Sequence, residues 1–178
     1  AMGADAFPSN SSENADLDED GVEDLVVGAM NDENLGRNDG GIYLLLMNSD
    51  GTVKSRVKIS NGLGDFFDGS LNAFDGFGSS VTSVGDLNDD GVIDLAVGAP
   101  LDENNTDREG AVYILMMNRD GTVNSHVKIG DGIGGLEEDT LGFREYFGSA
   151  VAGLGDLDGD GVADLAVGAR FDRTTDEA

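Results

Sequence analysis

An all-β fold, built of β-propeller blades of four antiparallel strands and incomplete at about 2.5 units, is what this 178-residue sequence predicts. Three observations carry the prediction. The chain repeats itself at a spacing of 70 residues, its apolar residues alternate or run in short blocks without a helical period, and its 28 glycines against 2 prolines suit many tight turns. The repeat is read most directly in three ungapped segments: DLDEDGVEDLVVGA from Asp16, DLNDDGVIDLAVGA from Asp86 and DLDGDGVADLAVGA from Asp156. The same offset lays GGIYLLLMNSDGTVKSRVKI on GAVYILMMNRDGTVNSHVKI, and FGSSVTSVGD on FGSAVAGLGD. Agreement over whole segments sets an architecture of stacked units, with a solenoid of β-hairpins as the alternative to a propeller.

Within the complete unit, residues 77–85 (FGSSVTSVG) form the first strand, with the alternation and small side chains of a tightly packed inner strand. An acidic loop follows, and residues 92–99 (VIDLAVGA) form the second strand. Residues 110–117 (GAVYILMM) are a nearly continuous apolar run, as a strand buried on both faces requires. Asn118-Arg119-Asp120-Gly121 is a hairpin turn, and residues 122–129 (TVNSHVKI) alternate as an outer strand with one wet face should. The chain divides into residues 1–15, a cloning remnant (Ala1, Met2, Gly3) and a degenerate first strand, and then units at 16–75, 76–145 and 146–178. The first unit keeps Phe7 but has Pro8 and Ser11 where its counterparts have Gly and Val, so it supplies strands two to four; the last supplies strands one and two. Unpaired blade edges are templates for another chain, so self-association or strand exchange is expected.

Composition narrows the function. With 36 Asp and Glu against 10 Lys and Arg, the net charge of −26 repels phosphate backbones and anionic lipid, so nucleic acid and membrane insertion are not expected. No apolar run approaches the ~20 residues that span a bilayer. The N-terminal AMGADAFPSN lacks the basic and apolar regions of a signal peptide. No cysteine is present, which excludes disulfides and thiolate metal sites.

The acidic loops point to a hard cation. Numbered from the first Asp, each carries Asp or Asn at positions 1, 3, 5 and 9, Gly at 6 and Val at 7. These are Asp16, Asp18, Asp20, Val22 and Asp24; Asp86, Asn88, Asp90, Val92 and Asp94; and Asp156, Asp158, Asp160, Val162 and Asp164. Ca²⁺ takes six to eight oxygens at about 2.3–2.6 Å, so alternate side chains must converge as the chain curls at the glycine, while Val offers only its carbonyl. An EF-hand needs a bidentate Glu at position 12 between two helices, and position 12 here is Val27, Val97 or Val167 in a β-rich run. The acid at position 9 closes the loop instead, from the start of the second strand. A solvated turn needs one or two such residues, whereas four oxygen-bearing side chains and a glycine recur three times, and uncompensated they would repel one another. Mg²⁺ suits the loops less well, because it demands compact octahedral geometry. Up to three Ca²⁺, one per loop, are expected, with Asn88 weakening the second site.

FGSSV…GDLNDDGVIDLAVGAP and FGSAV…GDLDGDGVADLAVGA resemble FG-GAP repeats, the blades of the integrin α-subunit propeller and of many bacterial surface proteins. The resemblance implies a propeller with Ca²⁺ between the first two strands of a blade, and places Asp86, Asn88, Asp90, Val92, Asp94 and their equivalents as ligands. It further implies a secreted or cell-surface, bacterial surface-type protein serving adhesion or protein–protein contact, with an unknown protein or glycan ligand. A carbohydrate-binding propeller is the alternative, weakened by the absence of Trp for stacking on sugars, and a non-catalytic domain of a larger extracellular enzyme is the third reading. No enzymatic activity is expected. The lone His126 reads as a surface side chain on an alternating strand, Tyr43 and Tyr113 as core, and Phe66, Phe67, Phe74 and Phe143 as blade packing. Asp68, Glu137, Glu138 and Asp139 read as a solvated loop between blades.

Overall fold

The structure, a computed structural model, describes residues 16–33, 38–66, 70–103 and 108–171. Among them are nine strands and no helix: β1 (Leu25–Ala29), β2 (Gly41–Met47), β3 (Val53–Ile59), β4 (Ser80–Gly85), β5 (Asp94–Ala99), β6 (Ala111–Met117), β7 (Val123–Ile129), β8 (Phe147–Gly155) and β9 (Asp164–Ala169). Every pairing is antiparallel between consecutive strands, in sheets β1-β2-β3, β4-β5-β6-β7 and β8-β9. The fold is therefore all-β, with one complete four-stranded propeller blade between two partial ones. Residues 67–69, which include Phe67 and Asp68, and residues 1–15, with the degenerate first strand, lie outside the described residues.

Local sequence explains where strands stop. The first strand of the complete blade begins at Ser80 rather than Phe77, after Gly78 at φ +84°, whereas β8 begins at Phe147 and runs through Gly148 at φ +83°. The turn after β6 closes as its residues demand: Asn118 N–H donates to Thr122 O at 2.8 Å, and the Asp120 carboxylate accepts from Thr122 N–H at 3.0 Å. β6 is buried on nearly every residue, and β7 shows its polar side chains to water.

The middle blade is covered on both faces. One face, with Leu95, Val97, Tyr113, Leu115 and Met117, packs against Ile42, Leu44, Leu46 and Ile59 of the preceding sheet. The other, with Val84, Ala96, Val112 and Ile114, packs against Phe147, Val151, Leu165 and Val167 of the following one. Phe66, Phe77 and Tyr113 fill the first seam, with Phe66 and Phe77 stacked at 5.2 Å. At the inner ends the blades meet backbone to backbone: Gly40 bridges Phe77 and Gly110 bridges Phe147, both in parallel. In the first sheet Leu25 and Val27 are 50% and 41% exposed, whereas their repeat mates Leu95 and Val97 are 1% and 0%.

Some side chains sit differently from the sequence reading. Phe74 and Phe143 are 60% and 51% exposed rather than packed between blades, and both lie in turns. His126 is half-buried rather than on the surface, its ring 4.8 Å from that of Phe66. Burial lowers its pKa and favours the neutral imidazole.

Candidate metal centre

Each acidic loop is curled by its own carboxylates. The position-1 acid turns back to accept backbone N–H groups: Asp86 Oδ1 from Asp90 at 3.0 Å and Oδ2 from Gly91 at 2.7 Å, with the same pattern at Asp16 and Asp156. The position-5 acid holds the next bend, with Asp20, Asp90 and Asp160 each accepting from the Val two residues on. Position 4 takes a left-handed conformation in all three loops, at Glu19 (φ 58°), Asp89 (φ 59°) and Gly159 (φ 82°). The sequence pattern does not reveal this, because those three residue types differ.

Position 9 is the joint. Asp94 is fully buried; its Oδ2 accepts from Leu87 N–H and its Oδ1 from Met117 N–H, each at 2.9 Å. One side chain thus ties the loop to the start of β5 and the end of β6. Asp24 does the same with Leu17 and Met47, and Asp164 accepts from Leu157. Burial pushes the Asp94 carboxyl up, against the two backbone donors that favour its charged form.

The curl brings positions 1, 3 and 9 together. Carboxylate oxygens of Asp16, Asp18 and Asp24 lie within 4.8 Å of one another, as do those of Asp156, Asp158 and Asp164. Asp20 and Asp160 stand outside these groups. In the second loop Asn88 replaces the third carboxylate and donates its amide to Asp90 Oδ2 at 2.8 Å. The donor set fits a hard divalent cation: oxygen atoms only, converging from a curled loop, with Asp18 Oδ1 buried and without a hydrogen-bond partner. In the first loop a cation of the chain's own is already close. Lys54 Nζ lies 2.7 Å from Asp18 Oδ2 and 2.6 Å from Asp20 Oδ2, and its hydrogen bond holds the Asp20 carboxyl below the usual range. Arg119 pairs with Glu19 at the rim of the same loop.

A second polar assembly escaped the sequence reading. Tyr113 Oη donates to Asp102 Oδ2 at 2.7 Å, and Lys128 Nζ reaches Asp102 Oδ1 at 2.7 Å, with Asp102 fully buried. The first blade repeats this at Asp32, Tyr43 and Lys58. The triad fastens the loop after each second strand to the third and fourth strands; Tyr113 is a core residue with a polar tip, whereas Tyr43 is half-buried rather than core. The available signal was the 70-residue recurrence of all three residue types. Beside the triad, burial and the nearby Asp102 carboxylate push Asp75 up to about 7.

The motif now has a structural meaning. The Gly of VGA in one blade lies against the Gly of FG in the next, and the acidic loop joins the FG strand to the VGA strand within a blade. Comparison with known families matches FG-GAP repeat to residues 77–115 and 147–177. The chain carries FG-GAP repeats. It is 36% identical to integrin alpha-11 of Homo sapiens over 163 residues, 86% of this chain and 12% of that protein. Integrin alpha-6 of Homo sapiens is 32% identical over 90% of the chain, and integrin alpha-2 of Mus musculus 33% over 86%. This FG-GAP chain spans only 12% of the length of each of these three relatives. Among its described residues no helix is long and apolar enough to cross a membrane.

Proposed function

We propose that the chain is a calcium-stabilised section of a β-propeller from a secreted or cell-surface protein, serving adhesion or protein–protein contact without catalysis. The observation that carries the calcium reading is the convergence of three carboxylates in the first and third loops, within FG-GAP units. Asp16, Asp18, Asp20 and Asp24 with the Val22 carbonyl, and their equivalents Asp86, Asn88, Asp90, Asp94 and Val92, and Asp156, Asp158, Asp160, Asp164 and Val162, are the residues that would hold the ions. Bound Ca²⁺ supplies positive charge that offsets the crowded carboxylates, and performs no chemistry. The chain's own residues do the mechanical work: position 1 curls the loop, and position 9 ties it to two strands. Adhesion is supported by the similarity to integrin alpha subunits. We assign the units to residues 16–75, 76–145 and 146–178. The open face of the first sheet, around Leu25 and Val27, takes a further blade, which a second copy of the chain can supply.

Thermal unfolding of chelator-stripped protein tests the calcium reading. Ligand at a hundredfold its Kd stabilises by about 2.7 kcal/mol per site, so added Ca²⁺ is expected to raise Tm by several degrees. No rise, or an equal rise from Na⁺ at matched ionic strength, refutes it.

A further inference from the structure

The three loops share a pattern but not an environment. In the first, Lys54 from β3 lays its ammonium across Asp18 Oδ2 and Asp20 Oδ2, at 2.7 and 2.6 Å. Its repeat mate on β7 is Asn124, which carries no charge and is exposed, and the second loop makes the corresponding link with the Asn88 amide. The link between positions 3 and 5 is thus made by a cation in the first loop, by a side-chain amide in the second, and in the third by the Asp160 backbone N–H, which donates to Asp158 Oδ1 at 3.1 Å.

We propose that Lys54 is a built-in counter-ion for the first loop that competes with calcium there, so that removing its charge tightens calcium at that loop. This rests on the calcium reading of the loops. An ammonium bridging two carboxylates uses oxygen lone pairs that a metal needs, and like charge repels the incoming ion. The lysine does not abolish the site. Its side chain is 42% exposed on a flexible four-carbon stem, so it swings into solvent when calcium enters. Surface ion pairs are weak individually, and two on one ammonium set a difference in calcium affinity on the order of tenfold. The first loop therefore stays bridged when calcium is scarce.

The position-6 glycines Gly21, Gly91 and Gly161 place one backbone N–H in each loop, and a calcium titration followed by amide NMR reads each loop separately. In Lys54→Asn, the residue found at the equivalent position of the second blade, the Gly21 midpoint drops on the order of tenfold while the Gly161 midpoint stays. Lys54→Arg, which keeps the cation, leaves the Gly21 midpoint near its natural value. An unchanged Gly21 midpoint in Lys54→Asn, or an equal shift at Gly161, overturns the competition while leaving the calcium reading intact. Glycine signals that ignore calcium in every protein overturn both.

Discussion

Replacing Gly98 by alanine puts the blade-to-blade contact under a sharp test. A Cβ at this position would stand 1.9 Å from the Gly148 carbonyl oxygen and 2.4 Å from Ser80 Oγ. Ordinary carbon–oxygen contacts lie near 3.3–3.6 Å, so the Gly148 backbone must withdraw by about 1.5 Å. That carbonyl accepts a hydrogen bond from Ser80 Oγ at 2.9 Å, and it sits beside the apolar seam of Val84, Val112 and Ile114 against Phe147 and Val151. Overpacking of this kind costs about 1–3 kcal/mol, and the displaced hydrogen bond adds about 1 kcal/mol. The expected loss is ~3 kcal/mol. Gly168 is the internal control, because it occupies the same VGA sequence but its added Cβ would meet nothing nearer than Ala150 Cβ at 3.5 Å. Gly168→Ala is expected to lie within ~1 kcal/mol of the unaltered chain, with a slight gain from a stiffer unfolded state. Urea melts followed by circular dichroism in saturating calcium measure both. Equal stabilities for the two variants, within ~0.5 kcal/mol, would refute the argument that VGA and FG glycines exist for backbone contact between blades.

Two further outcomes follow from buried charge and open faces. Asp75 is 1% exposed, and its carboxyl is pushed up to about 7 by burial; the Asp102 and Asp39 carboxylates raise it further, while the Asn72 N–H and Lys128 oppose them. A folded-state value above the ordinary 3.8 means that the native state holds this proton more tightly, so the group's stabilisation is full at low pH and is lost as pH rises towards 7. Comparing Asp75→Asn with the unaltered chain between pH 4 and 8, at saturating calcium, is expected to remove a slope of up to ~1.4 kcal/mol per pH unit and to leave the variant more stable at pH 8. Identical slopes would show that Asp75 is ionised throughout. Light scattering over a wide concentration range addresses the exposed face at Leu25 and Val27: mass that grows with concentration is expected, and falls back in Leu25→Lys, whereas a constant monomer mass rules out self-association through that face.

The features legible in the sequence are those whose cause is local. Strand alternation, the Asn-x-Asp-Gly turn and the Asp/Gly spacing of the loops act within a few residues, and the 70-residue offset multiplies each signal. The blades and the acidic positions could therefore be read directly. The loop's left-handed position 4 could not, because Glu19, Asp89 and Gly159 share no residue type. Nor could the exposure of Phe74 and Phe143, since aromatic residues signal burial only where the backbone turns them inward.

By itself, then, the sequence determined what a complete unit is: four strands, a hairpin and an oxygen-lined loop. The tertiary structure decided how units differ. Lys54 meets Asp18 across 36 positions of chain, Arg119 meets Glu19 across 100, and Gly98 meets Gly148 only because two blades stack at that height. A repeat offset treats equivalent residues as equal, but burial and charge depend on what lies on the neighbouring blade. That is why Leu25 and Leu95 share one motif and stand 50% and 1% exposed, and why the first loop carries its own cation where the second faces Asn124.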